Sequence, residues 1–314
     1  MNRDTLKNSV IRTLLYYDLF KHPLKADEIY SFLGTNGVTE HNVTDALDEL
    51  VKEKLIFKHG IFFSLHNNDD TIHRRIKGNQ YAEKFQPLAL KQAKRISRFP
   101  FVRAVMASGS FSKGYMDDKS DLDFFVVTAP GRLWIARILI VLFKRLFYFN
   151  SHKYFCCNYF VDTDHLEIEE KNLFTATELA TLIPLYNADI YEKLINANRW
   201  VHDFFPNYKR RSTENVLNKS TGSMKRWIET LLKARLGEKL DHYFMLITLN
   251  RWKRIYQRKY SNTDFNNAFK SKKHVSKNHP RHYQRKVIDR FEDNLRSFSE
   301  KYNYELKALN PRTA

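Results

Sequence analysis

Two short apolar runs near the middle of the chain, with the polar segment that joins them, constrain this sequence most. The first, Phe101 to Ala107, has the length of a buried strand and ends in Ser108-Gly109-Ser110. The second begins Asp121-Leu122-Asp123-Phe124 and runs to Thr128. Side chains alternate between the two faces of a strand. Asp121 and Asp123 then share one face, while Leu122 and Phe124 point into a core. Two carboxylates on one face repel each other unless a cation lies between them. Mg²⁺ takes such oxygen ligands and usually keeps phosphates in its shell. Gly109 permits close backbone approach, and the amides and hydroxyls around Ser110 and Ser112 suit a phosphate. Lys113 is placed to offset phosphate charge.

Leu133 to Phe149 has the length of a helix, and Tyr154 to Val161 reads as a third strand. Ten residues, Phe111 to Ser120, separate Ser110 from Asp121. A small hydrophobic residue, Gly-Ser, a spacer of this length and Asp-hydrophobic-Asp-hydrophobic form a pattern that resembles the DNA polymerase β-type nucleotidyltransferase superfamily. The local form Gly-Ser-x-x-Lys-Gly, followed by Ser-Asp-Leu-Asp, is similar to the minimal and antibiotic-modifying members, which usually carry Arg where this chain has Lys113. The resemblance covers residues 95–165. It implies an α+β core, a mixed sheet with flanking helices. It also implies transfer of a nucleoside monophosphate from an NTP to an acceptor, with two Mg²⁺ ions. Asp121 and Asp123 would ligate metal. Gly109, Ser110, Ser112 and Lys113 would bind the nucleotide.

In that superfamily a third carboxylate on a neighbouring strand helps to deprotonate the acceptor. The candidate strand offers Asn158 at its centre, which cannot act as a base. Asp162, on the face expected for Asn158 but at the strand's end, is the nearest carboxylate and the expected third catalytic residue; Asp164 lies further out. Glu178 and Asn198 could line the cleft or serve as caps and surface residues. Cys156 and Cys157 read as strand residues, with neither disulfide nor zinc spacing, which fits a reducing, cytoplasmic setting.

Within a first domain of residues 1–72, residues 8–65 read as three helices and a hairpin, an order that resembles a winged helix. The third helix would present Glu40, Asp45, Asp48 and Glu49 outward. A DNA-reading helix needs net positive character, so a structural or protein-contact role is favoured. Residues 73–207 hold the core, opening with a polar helix over 73–98 and including a helical stretch from Ala176 to Ala197 broken by Pro184. Residues 208–314 form a basic helical region, with 26 Lys and Arg against 10 Asp and Glu, a net of +16 within a chain total of +18. Such a region favours a polyanionic partner: nucleic acid, nucleotide phosphates or an anionic membrane surface. One long helix is expected from Met224 to about Tyr260, with Trp227 and Trp252 in the core. Residues 261–280 read as a loop carrying His274 and His279 as surface residues, and His282 as another just beyond it. A last helix is expected over 281–303.

No signal peptide is evident, and Arg137, Lys144 and Arg145 interrupt the most apolar stretch, so a membrane span, which needs about 20 largely uncharged residues, is not expected. Hydrophobic residues make up 43% of the chain, enough for a sizeable core. A second reading makes the chain a nucleotide-sensing or nucleic-acid-binding regulator whose transferase core is weak or inactive.

Overall fold

The computed structural model describes residues 3–149, 151, 153–217, 222–256, 269–278 and 283–306. It is an α+β structure whose main sheet is mixed and flanked by helices. Three helices, α1 (Arg3–Asp18), α2 (Ala26–Ser31) and α3 (Glu40–Lys52), come first. A three-stranded antiparallel sheet completes that unit, with β1 (Leu24–Lys25) and β2 (Phe57–His59) on either side of β3 (Phe62–Ser64). Thr39 caps α3 by accepting from the amide of Asn42, while Asn42 Oδ1 accepts from the Thr39 amide at 3.0 Å. This reciprocal cap satisfies donors at the helix start. The outward acids of α3 meet cations of their own chain: Glu49 lies 2.9 Å from Lys7, and Asp48 lies 3.7 Å from Lys58.

The long helix α4 (Asp69–Ser97) carries the chain into the main sheet. There β4 (Val102–Ser108) runs antiparallel to β5 (Asp123–Thr128), and β5 runs parallel to β6 (Cys156–Asp162). The parallel pair needs a crossover, supplied by α6 (Leu133–Tyr148), which follows the short α5 (Gly109–Ser112). After β6 come α7 (Leu173–Thr181), β7 (Ile183–Tyr186), α8 (Ala188–Ala197) and α9 (Val201–Phe204). The helical stretch expected around Pro184 is thus two helices with a strand between them. Proline cannot donate to a ladder, and β7 joins the sheet as an outer strand beside β4.

The expected helix over 224–260 is divided into α10 (Ser223–Leu231) and α11 (Arg235–Tyr256). Arg132 holds the break: its guanidinium donates to the carbonyls of Leu232 at 2.9 Å and Lys233 at 2.6 Å. Within the region expected to be a loop, β8 (Ser271–Lys272) and β9 (Val275–Lys277) form a hairpin that extends the sheet, giving the order β7-β4-β5-β6-β9-β8. Residues 257–268 and 279–282, which include His279 and His282, lie outside the described residues. His274 stacks on His165 with ring centroids 4.0 Å apart. The last helix is α12 (Tyr283–Tyr302).

Three apolar clusters hold these elements. One sheet face packs against α4, α6 and α11 and includes Phe124, Trp134 and Trp252. The other face packs against α7, α8 and α9 and includes Phe125, Leu179 and Tyr191. The third joins the N-terminal unit to α12 through Val287, Phe291 and Phe298. Trp227, by contrast, is largely exposed. Among the described residues, no helix is long and apolar enough to cross a membrane.

Candidate active site

The turn from β4 into α5 is set by Gly109, whose φ of +66° lies in the left-handed region that only glycine enters without cost. A side chain there would also run into the Asp123 carboxylate. Glycine at this position therefore does two things: it lets the chain turn, and it lets the β5 carboxylate approach the turn. β4 and β5 pair Ser108 with Asp123, so the end of one strand and the start of the next meet at one edge.

Leu122 and Phe124 are fully buried, and the Leu122 amide donates to the Lys153 carbonyl at 2.9 Å. Asp121 precedes the strand proper, half-exposed, and its charge acts on Asp123. Burial, and then the charges of Asp121 and Glu178, push the Asp123 carboxyl up to about 7, against the opposing pull of a hydrogen bond with Cys156 and of Lys113. Burial disfavours a charged carboxylate, and like charges add to that.

Across the sheet, Asn158 donates its side-chain amide to Asp123 Oδ1 at 2.9 Å. The β5–β6 register explains why. Cys156 and Cys157 pair with Asp123 and Phe124, but Tyr159 pairs with Phe125, so Asn158 is an extra residue in the ladder. This bulge resets the alternation, and both Asn158 and Tyr159 line the cleft. The same shift puts Asp162 in register with Thr128, on the sheet face opposite to that of Asp123, Phe125 and Tyr159. Asp162 is paired with Thr128 at the far end of β5, about 17 Å along the strand from Asp123. It is buried and accepts from His165 Nδ1 at 2.7 Å and from the Asp164 amide at 3.1 Å. The expectation that Asp162 or Asp164 supplies the third carboxylate is therefore corrected: strand length and the bulge keep both away from Asp123.

Besides Asp123, the carboxylates that line the cleft are Asp117, Glu170 and, on α7, Glu178. Lys113 Nζ donates to Glu178 Oε1 at 2.7 Å and to the Gly109 carbonyl at 3.1 Å. Asn172 caps α7 by accepting from the Thr175 amide at 3.0 Å, which fixes where the helix begins. Asn198, the other undecided residue, is buried and bonds the backbone of Leu166, Ile168 and Leu194; its role is structural. Ser112 also departs from expectation. It is fully buried, and its hydroxyl donates to the Gly109 carbonyl at 2.8 Å, so it shapes the turn rather than facing a ligand.

Ser108, Gly109, Ser110, Lys113, Asp123, Asn158 and Glu178 line one cavity of about 430 Å³, within the range of small-molecule sites. Other walls come from distant parts of the chain: Tyr17, Phe20, His22 and Arg74 from the N-terminal region, and Lys277 and Tyr283 from the C-terminal region. His22 is buried against Arg75, and burial followed by the Arg75 charge pushes its pKa well down, which keeps the imidazole neutral. Arg74 lies over the Tyr115 ring at 4.6 Å, and Tyr115 donates to Asp117 at 2.9 Å. None of these wall residues stood out in the sequence, because each is an ordinary aromatic or basic residue until folding brings it to the cleft.

Among the described residues no three His, Cys, Asp or Glu side chains converge tightly enough to enclose a metal by themselves. A magnesium shell commonly takes one or two carboxylates and completes itself with phosphate and water; of the two expected to ligate it, Asp123 lines this cavity, while Asp121, two residues earlier and half-exposed, is not among its lining residues. Compared with known proteins, the chain matches no family model, no curated protein and no solved structure.

Proposed function

We propose that this chain is a magnesium-dependent nucleotidyltransferase that moves a nucleoside monophosphate from an NTP to a hydroxyl-bearing acceptor. The observation that carries the reading is the meeting of the Gly109-Ser110 turn with Asp123 in a cavity that also holds Lys113 and Glu178. Asp121 and Asp123 are the residues that would hold magnesium, which would screen the phosphate charge. The Ser110 region and Lys113 receive the phosphates. Glu178 accepts the proton of the acceptor hydroxyl as its oxygen bonds to the α-phosphorus. The bond from that phosphorus to the bridging oxygen breaks, and pyrophosphate leaves with the electron pair. Asn158 cannot take a proton; it holds Asp123 in place.

Incubation of the full chain with labelled NTPs, Mg²⁺ and cell-extract acceptors tests this. Label transfer that is lost in the Asp121→Ala/Asp123→Ala double variant supports it. Asn158 favours one alternative, a nucleotide-sensing regulator: NTP binding seen as a thermal shift, with no transfer to any acceptor, would establish that reading instead.

A further inference from the structure

Three neighbouring strands set one row of side chains on the sheet face that packs against α7. In β5, Phe125 lies two residues beyond Asp123 and shares its face. Tyr159 of β6 is paired with Phe125, and Lys277 of β9 is paired with Tyr159; paired residues share a face. The rings of Phe125 and Tyr159 are stacked, with centroids 5.0 Å apart. Lys277 is 5% exposed. Among the described residues its ammonium donates to Gln284 Oε1 alone, at 2.8 Å, and the Glu170 carboxylate is 3.8 Å away. An ammonium has three N–H donors, so this buried cation has donors to spare, and buried polar groups ordinarily find partners.

All three residues of the row line the cleft. Phe174 of α7 and Tyr283 of α12, in edge contact at 5.9 Å, bring two further rings to the same cavity from outside the sheet. We infer that this row is a nucleobase subsite, where the base of the NTP lies against Phe125, Tyr159 and Tyr283 and accepts a hydrogen bond from Lys277. Aromatic rings receive any base by its π-face. A donor-only ammonium distinguishes bases by where they carry acceptors. The placement follows from the phosphate end. Two residues of strand put Phe125 about 7 Å inward from Asp123, a span that one ribose covers between α-phosphate and base. The wall made by Arg74 and His22 adjoins the phosphate end instead. Both meet the ring of Tyr115, whose amide donates to the Ser110 carbonyl at 3.1 Å. The subsite rests on the nucleotidyltransferase reading and adds to it the residues that choose the nucleotide.

The test is isothermal titration calorimetry of the full chain in Mg²⁺ with ATP, GTP, CTP, UTP and inorganic tripolyphosphate, each separately. Wild type should bind at least one NTP about tenfold or more tightly than tripolyphosphate, the usual gain from stacking one base, and should rank the NTPs. Tyr283→Ala, at a half-exposed position, should keep its circular dichroism, weaken NTP binding about tenfold and leave tripolyphosphate binding unchanged. Lys277→Met should narrow the differences among the NTPs, again with tripolyphosphate unchanged. If Lys277→Met unfolds, Tyr283→Ala decides by itself. Wild type that binds neither NTPs nor tripolyphosphate overturns the nucleotidyltransferase reading and the subsite with it. Wild type that binds NTPs no more tightly than tripolyphosphate, or a folded Tyr283→Ala that binds NTPs as well as wild type, overturns the subsite and leaves that reading standing.

Discussion

The Asn158 amide donates to Asp123 Oδ1 at 2.9 Å, so a neutral donor, and not a third carboxylate, faces Asp123 across the sheet. It satisfies one oxygen of a carboxylate already crowded by the charges of Asp121 and Glu178. Asn158→Asp would put a further negative charge there. Without Mg²⁺ we expect it to destabilise the fold by on the order of 1–3 kcal/mol, the usual cost of replacing a partly buried hydrogen bond with repulsion. With Mg²⁺ the loss should be recovered, because a cation converts that repulsion into ligation. Denaturant titration with and without Mg²⁺ measures both effects.

Asp123 itself should make stability depend on pH. Its folded pKa, about 7, is above that of an unfolded carboxyl near 4. Between those values the folded state holds a proton that the unfolded state has released, so stability falls as pH rises through this window. Asp123→Asn should flatten that contribution and stabilise the protein above neutrality by on the order of 2 kcal/mol. Mg²⁺ competes with the proton, so its stabilising effect on the wild type should be larger at pH 8 than at pH 6, and lost in the variant. Thermal melts across pH decide this.

Lys113 and Glu178 are paired at 2.7 Å but are assigned different tasks, and kinetics can separate them. Lys113→Met should raise KM for the NTP about tenfold or more, with a smaller change in kcat. Glu178→Gln keeps the shape and should lower kcat by about a hundredfold or more, the usual contribution of a general base. Equal KM effects in both variants, with kcat intact, would reduce Glu178 to a holder of Lys113.

Gly109→Ala combines a positive φ with a collision against Asp123. It should abolish transfer and reduce stability by about 1–3 kcal/mol. Asp123→Ala in the same chain should recover part of the stability, since it removes the colliding carboxylate, and none of the activity.

Arg75 is buried and donates to Glu28 at 2.6 Å, Asn79 at 2.8 Å and the Pro23 carbonyl at 3.1 Å, with His22 also against it. Removing one member of such a network leaves the others unpaired. Arg75→Met should cost about 3 kcal/mol or more in denaturant unfolding and should loosen the cleft wall that His22 provides.

The sequence alone determined the two strands on either side of the Gly109 turn and which of their residues are core. Alternation in Asp121-Leu122-Asp123-Phe124 separated core residues from carboxylates, and Gly109 marked the turn, because both follow from backbone geometry within a few residues. Only the tertiary structure decided which groups meet Asp123. A one-residue bulge aimed Asn158 at it and turned Asp162 away, and strand alternation read without a partner strand cannot register an extra residue. α7 carried in Glu178, 55 positions along the chain from Asp123. The hairpin at 271–277 escaped detection because short polar strands carry little apolar pattern; pairing with β6 makes them strands. Trp227, expected inside, stands in water because α10 turns its buried Lys225 and Glu229 toward the β4 turn. Which face of a helix is buried depends on what the helix packs against, and no local pattern records that.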